Sequence, residues 1–496
     1  MAVILVTLLI VAVCLIFVKL KRRFELGLKI PGPLFIPFIG CVQFATASPE
    51  NIFLIVNELR QKYKRSFRLW LGVSLWVFLH SPEEAKQVLN NISLGRSSDF
   101  KLLMPLVGEG LLVSKGKKWS SRRKSLTPAF HSSITDSFID SFCHNADVFV
   151  ERLRGHEVVE ISNRIFLCIL DMICETAMGV KVKCQDDAES IYAKAFHDCS
   201  HLLYERMVNP LLGIDIIYQF TNSCGKLKKA IETIHELTEK MIIERRIIQI
   251  EKLNSSNDPV EGEIGIKRKQ ALLDVLLTIK IDGNFLSDED IKEEVNTFLF
   301  AGVDTTKASM CFALYNLGKY KEYQDKVVDE IWTVIGKDPD QKFEINQINQ
   351  LSYLDLFIKE SMRFHTTVPL TSREISEETL IGDVLLPKGS AVWINMYGLA
   401  HDPDLFKNPN EFIPERFAGD EKANEIVPFS YLPFAGGPRI CIGKRYSLLM
   451  MKVLIVKILL NYKISLSEPD EKLNLISEMV LKSTTGIKLK LNKRIN

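Results

Sequence analysis

The chain has 496 residues, 47% hydrophobic and 25% charged, with a net charge of +2. That composition excludes a disordered chain and supports a large buried core, and the balanced charge gives no whole-chain field for nucleic acid or for an acidic partner. Ten cysteines are scattered without a single CxxC pair, which argues against a disulfide framework or a zinc knuckle and fits a reducing, cytosolic setting.

Residues 1–18 carry no charge and one polar side chain, Thr7, and are followed by Lys19, Lys21, Arg22 and Arg23. Eighteen apolar residues in a helix rise about 27 Å, enough to span a hydrocarbon core. No basic stretch precedes the run and no small-x-small cleavage site follows it. A retained anchor is therefore expected, with the basic flank and the body on the cytosolic side of the endoplasmic reticulum membrane. On that topology the acceptor patterns Asn91-Ile92-Ser93 and Asn254-Ser255-Ser256 face away from the glycosylation machinery and should be unmodified. Pro31-Gly32-Pro33, Pro37 and Gly40 form a stiff extended stretch, either an ordinary linker or a spacer that sets the body's angle to the membrane. The expected organisation is an anchor over 1–20, a hinge over 21–48 and one large domain over 49–496.

Within the body, the apolar period predicts helices over 52–63, 82–90, 137–154, 161–178 and 226–253, with a strand over 70–80. Residues 254–265 are polar and linker-like, joining two helices rather than two domains. One long helix is predicted over 287–319, capped by Ser287 with acids in its first turn, followed by helices over 321–335 and 351–365. Short strands occupy 368–399, and a strongly apolar helix over 444–462 leads into final strands. The fold class is mainly α with a minor β part.

Chemistry concentrates at Phe434-Ala435-Gly436-Gly437-Pro438-Arg439-Ile440-Cys441-Ile442-Gly443, just before that helix. A helix N-terminus and Arg439 supply positive potential for a thiolate, and glycines allow the backbone to approach a flat group closely. By chemistry alone, a structural cysteine in a glycine turn stays open as the alternative. In the long helix, Ala301-Gly302-Val303-Asp304-Thr305-Thr306 places a glycine in mid-helix and a threonine able to bond its own i−4 carbonyl, which can open a groove. Glu360 and Arg363 stand at i and i+3 on one helix face, and Pro414-Glu415-Arg416-Phe417 follows downstream. Trp119 and Arg123 are four residues apart on another helix.

These segments, in this order, resemble the cytochrome P450 family. Phe434, Gly437, Arg439, Cys441 and Gly443 match its cysteine loop, F-x-x-G-x-R-x-C-x-G, which implies Cys441 as the axial thiolate ligand of a haem b iron. Residues 301–306 match its oxygen-activation motif, with Ala301 and Gly302 against the haem and Asp304 and Thr305 delivering protons to dioxygen. Glu360, Arg363 and Arg416 resemble the residues of a buried structural network. Trp119, Arg123, Arg373 and Arg439 are implied as partners of the haem propionates. Residues 171–179, Asp-Met-Ile-Cys-Glu-Thr-Ala-Met-Gly, are similar to the family-four microsomal branch, which includes fatty-acid ω-hydroxylases and many insect enzymes; an insect member is expected.

Two positions depart from that branch. Ala301 stands where many family-four members carry a glutamate that can become ester-linked to the haem, so a non-covalent haem is expected. Residues 364–369, Phe-His-Thr-Thr-Val-Pro, keep Pro369 but lack the usual paired prolines. The substrate pocket is expected from residues 100–112, 298–301 and 368–372. The implied reaction inserts one atom of O2 into a lipophilic substrate such as a fatty acid, a hormone or an insecticide. The chain holds no flavin or nicotinamide motif, so electrons must come from NADPH–cytochrome P450 reductase, with cytochrome b5 as a second possible partner. Arg122, Lys124, Lys444 and Arg445 are candidates for the docking face. Two alternatives stand beside this reading: a donor-independent enzyme that rearranges peroxides, and a non-enzymatic haem-binding protein.

Overall fold

The computed structural model describes residues 20–494, apart from 38, 46, 188, 210, 256–270, 420–425 and 469–471. The apolar run over 1–18 and most of the 254–265 linker, with the end of the 254–256 acceptor pattern, lie outside the described residues. Among the described residues no helix is long and apolar enough to cross a membrane.

Residues 20–29 are helical, and the proline segment that follows packs onto the body. Phe24 stacks on Trp70 with ring centroids 4.5 Å apart, and Phe35 stacks on the same indole at 5.3 Å. The amide of Arg68 donates to the Pro31 carbonyl at 2.8 Å.

Helix α1 spans Pro49–Tyr63, strand β1 Phe67–Leu71 and strand β2 Ser74–Leu79. The expected single strand over 70–80 is thus corrected to an antiparallel hairpin, because Gly72 takes φ 58° and turns the chain. Helix α2, Pro82–Asn90, begins with a capping box between Ser81 and Glu84. Helices α3 (Gly116–Leu126), α4 (Ile139–Leu153) and α5 (Ser162–Ile173) follow, and α5 runs on into a π-turn at Cys174–Met178. Helix α6, Ile191–Val208, is an element beyond those predicted, and α7 is Asn222–Ser255.

The long helix α8, Asp288–Lys319, starts at Ser287, whose hydroxyl accepts from the Asp290 amide at 3.1 Å. Its three first-turn acids complement the helix dipole. Helix α9 is Ser352–Phe364. Strands β3 (Leu370–Glu374) and β4 (Ala391–Asn395) end the β region earlier than expected. The Asn395 side chain caps a short helix at Met396–Ala400 instead. Helix α10, Lys444–Asn461, precedes a final hairpin of β5 (Leu475–Ser477) and β6 (Leu481–Ser483).

The helix-rich domain carries a minor β part, matching the expected fold class. Strand β4 lies between β2, which it meets in parallel, and β3, which it meets antiparallel. The main core forms where α5 packs on α8 and α4 on α10, burying Phe142, Leu170, Leu314 and Leu454. A second core under the sheet joins Trp70, Val77 and Leu89. The cysteine loop runs between α2 and the start of α10.

Candidate active site

The loop before α10 is shaped by contacts that admit few other residues. Gly437 takes φ 67°, and a Cβ there would lie 2.1 Å from the Leu89 carbonyl at the end of α2. Any side chain would push the loop off that helix. The Cys441 amide donates to the Phe434 carbonyl at 3.0 Å, which closes the loop. Cys441 is exposed to a cavity of about 460 Å³ lined also by Arg123, Phe130, His131 and Ile442. Desolvation pushes its thiol pKa up, against the Gly443 amide hydrogen bond and the charges of Arg123 and Lys444. Phe130 in this cavity stacks on Phe298 of α8 at 5.3 Å, linking the cysteine side to the long helix.

Four guanidinium groups gather near this loop. Arg373 is buried at 1% exposure, donates to the Ser372 carbonyl at 2.9 Å and leaves Nη2 without a partner. Its pKa is pushed down to about 8 by burial and by the charges of Arg96 and Arg439. Arg96 donates to Thr371 Oγ1 at 2.5 Å, has no partner at Nε and is pushed down to about 10 by burial. Arg439 reaches the Ser114 carbonyl at 3.0 Å, lies 4.2 Å over the Trp119 ring, and is lowered to about 10 by burial, Arg96 and Arg123. Arg123 is lowered by burial, with Cys441 opposing.

No carboxylate among the described residues forms an ion pair with any of these four. Concentrated positive charge with buried unpaired donors is costly by itself. The two propionates of a haem are anions this donor set would fit, and Cys441 offers the soft donor that its iron would take. Arg96 belongs to this cluster although the sequence alone gave it no role.

On α8, the Thr305 hydroxyl donates to the Ala301 carbonyl at 2.6 Å, the i−4 bond that diverts a helix carbonyl. Gly302 is explained by packing: a Cβ there would lie 3.2 Å from Ile173 Cδ1 of α5. Asp304 is buried, 3.0 Å from Lys307 Nζ and 3.3 Å from the Ser200 hydroxyl. Burial raises the Asp304 pKa, but Lys307, Lys482 and Ser200 outweigh it and hold the carboxyl below the usual range.

Glu360, Arg363 and Arg416 form one buried group. Arg363 grips Glu360 through Nε at 2.7 Å and Nη2 at 2.8 Å, and Arg416 Nε reaches Glu360 Oε1 at 3.1 Å. The remaining donors of Arg363 are taken up by the carbonyls of Ala400, Pro409 and Glu411. The network ties α9 to the 409–416 segment that leads to the cysteine loop.

One proposed docking residue is corrected. Arg122 is 4% exposed and turned inward, donating to Glu293 at 3.0 Å, to Glu294 at 2.8 Å and to Asp290. Lys124, Lys444 and Arg445 are exposed, with Arg445 paired to Asp136 at 2.8 Å.

With a cysteine loop, an unpaired guanidinium cluster and the Thr305–Ala301 bond on the long helix in place, the fold and site define a haem-thiolate protein. The family model described as Cytochrome P450 matches residues 30–491. The chain is 36% identical to cytochrome P450 4d1 of Drosophila melanogaster, over 99% of its own length and 98% of that protein. It is 34% identical to cytochrome P450 4c3 of the same fly (94% and 89%) and 36% identical to cytochrome P450 4V2 of Homo sapiens (92% and 88%). The chain belongs to the cytochrome P450 family, whose members are monooxygenases that bind haem b through a cysteine thiolate.

Proposed function

We propose that this monooxygenase oxidises a lipophilic substrate (a fatty acid, hormone or xenobiotic such as an insecticide) with electrons from NADPH passed on by cytochrome P450 reductase, and with cytochrome b5 as an accessory donor. The overall balance is one substrate C–H, one O2, two electrons and two protons giving one C–OH and one water. The observation that carries the reading is the set of Arg96, Arg373 and Arg439, half-buried or buried without acids, beside the Cys441 loop. In that set Arg96, Arg123, Arg373 and Arg439, with Trp119, would hold the propionates. Cys441 would ligate the iron, and Phe434, Gly437 and Gly443 shape its loop. Bound there, the haem supplies dioxygen activation, and the thiolate's electron donation favours O–O scission.

The chain's own residues do the rest. Ala301 keeps the helix surface low where the macrocycle would lie and offers no carboxylate for an ester link, so the haem is non-covalent, while Gly302 lets α8 approach Ile173 of α5 closely. Thr305 and Asp304 hold and move protons beside the groove, as a general acid must. Glu360, Arg363 and Arg416 are structural.

The protein resides at the endoplasmic reticulum membrane, with its catalytic body in the cytosol. Two features support this. The first 18 residues are apolar with a basic flank. In the connection between α6 and α7, Leu211, Ile214, Ile216, Ile217 and Phe220 are all exposed, an apolar surface suited to the bilayer. Lys124 and Lys444 offer positive charge for an acidic reductase.

The reading is tested by the carbon monoxide difference spectrum of the reduced protein in microsomes, followed by turnover with reductase and NADPH on each substrate class. A far red-shifted Soret band and NADPH-dependent product are expected. A short-wavelength band, or turnover without reductase, would refute it.

A further inference from the structure

Asp304 is the meeting point of polar groups from three elements, two of them charged. Lys307, one turn along α8, lies 3.0 Å from Oδ1. Ser200 of α6 donates to Oδ2 at 3.3 Å. From the β5–β6 hairpin, the Lys482 ammonium acts on Asp304 through its charge. Lys482 Nζ is 2.5 Å from Glu478 Oε2, and Glu478 Oε1 is 3.1 Å from Nδ1 of His201 on α6.

Exposure changes along this series. The side chains of Asp304, Lys307, Glu478 and Lys482 are 9–16% exposed, whereas His201 is 42% exposed. His197 of α6, with Asp198 beside it, faces the same charges from the solvent side. The Cys311 thiol of α8, pushed up to about 12 by burial, stays neutral among them.

Burying ammonium–carboxylate pairs in this way is a poor route to stability, since apolar packing in the same volume does as well or better. It suits a proton donor. Such a group must be held in one orientation, be ionised between turnovers and have a path to water. Lys307 provides the first two conditions. The hairpin and His201 lead toward solvent.

We propose that Lys307 is a positioning residue for Asp304, and that Glu478, Lys482 and His201 form the solvent-side path by which Asp304 regains each proton it gives up. The proposal rests on the reading of Asp304 as proton donor. In each passage one proton enters from water at His201, resides on the Asp304 carboxylate, and then leaves it toward Thr305. Every residue of the path then returns to its starting charge. Two passages match the two protons consumed with two electrons in one turnover.

The test uses the full-length holoprotein with reductase and two readouts. One is the infrared titration of the Asp304 carboxyl, identified by its loss in Asp304→Asn. The other is the ratio of product to peroxide and its solvent isotope effect between roughly pH 5 and 8. Lys307→Met should raise the Asp304 titration by about one pH unit or more and lower the ratio about tenfold. Lys307→Arg should restore both. His201→Ala and Glu478→Gln should enlarge the isotope effect and flatten the pH profile, while His197→Ala, which is outside the hydrogen-bonded path, leaves the isotope effect unchanged. Ser200→Ala, which removes one hydrogen bond, should shift the titration in the same direction by less, and it serves should Lys307→Met fail to take up haem.

A wild-type titration in both Lys307→Met and Ser200→Ala, or Lys307→Arg behaving as Lys307→Met does, overturns the positioning role. Normal isotope effects in the His201 and Glu478 variants overturn the path. A wild-type ratio in Asp304→Asn would refute the underlying donor reading instead.

Discussion

The hydroxyls of Ser309 and Thr367 lie 2.6 Å apart, joining α8 to the segment between α9 and β3. Ser309 also reaches the Thr305 carbonyl at 3.1 Å, and the Thr367 carbonyl accepts the Leu481 amide at 2.8 Å. Helix α8, the 365–369 segment and strand β6 are thus tied together at Thr367. Thr367→Val keeps the shape and removes the hydroxyl bond. It leaves Ser309 its bond to Thr305, so the expected loss of stability is only about 1 kcal/mol. The expected functional effect is larger: a redistribution of oxidised positions at unchanged haem content, read from the product profile. An unchanged profile would mean that the hydroxyl pair does not set the wall.

Arg373 carries opposite predictions for the two forms of the protein. Without haem it is a buried cation beside two others, and its pKa is lowered by burial first and then by repulsion from Arg96 and Arg439. Arg373→Met should therefore raise the unfolding midpoint of the apoprotein. In the holoprotein the same change removes a charge-assisted bond, worth about 1.5–3 kcal/mol, and should weaken haem binding roughly 10- to 100-fold. Haem titration and thermal melting of both forms check the two signs; a destabilised apoprotein would contradict the assignment.

Glu360 accepts from Arg363, Arg416 and the Ile413 amide, all in the interior. Removing it leaves two buried guanidiniums without a counter-ion. Glu360→Ala should cost about 3–5 kcal/mol, enough to abolish accumulation of the folded holoprotein. Denaturant unfolding of any soluble fraction reads the loss directly. Glu360→Gln, which keeps the size and one acceptor, should fall between the variant and the native chain.

His365 is buried between α8 and α9, stacked on Phe312 at 4.6 Å, with Asn316 Nδ2 3.2 Å from its Nδ1. Burial pushes its pKa down to about 3, and that of His401 to about 4. Both are neutral in the folded protein at pH values where the unfolded chain, with a histidine pKa near 6.5, already binds protons. Their stabilising contribution is therefore complete above about pH 6.5 and is lost progressively as pH falls toward 3. His365→Phe preserves the stack and removes the titration. The variant should lose less stability than the native protein between pH 6.5 and 4, as measured by urea unfolding at each pH. Parallel acid limbs for the two proteins would count against this account.

Residues that act as contiguous strings could be read from the sequence. The cysteine loop, the 301–306 motif and the Glu360–Arg363 spacing each carry a local pattern, and the family match spans them all. Residues whose role arises from the fold could not. Arg96 sits in Gly95-Arg96-Ser97, a lone basic residue in an irregular segment, and only tertiary packing brings it near Arg373 and Arg439. His201 and Glu478 meet across 277 positions. Arg122 stands with Lys124 in a basic stretch of the sequence but does not share its exposed face. A helix turns about 100° per residue, so the two point apart, and Arg122 meets Glu293 and Glu294 instead. Helix α6 did offer a signal, with Ala195, Cys199 and Leu202 spaced for one apolar face.

The stack of Phe24 and Phe35 on Trp70 bears on mechanics. Residues 24–35 move with strand β1, so a pull or tilt arriving from the N-terminal side is not absorbed by a swivel there. Reorienting the body would require unstacking those rings, each contact worth about 0.5–1.5 kcal/mol beyond the area it buries. The stretch before α1 works as a strut that hands such a load directly to the sheet.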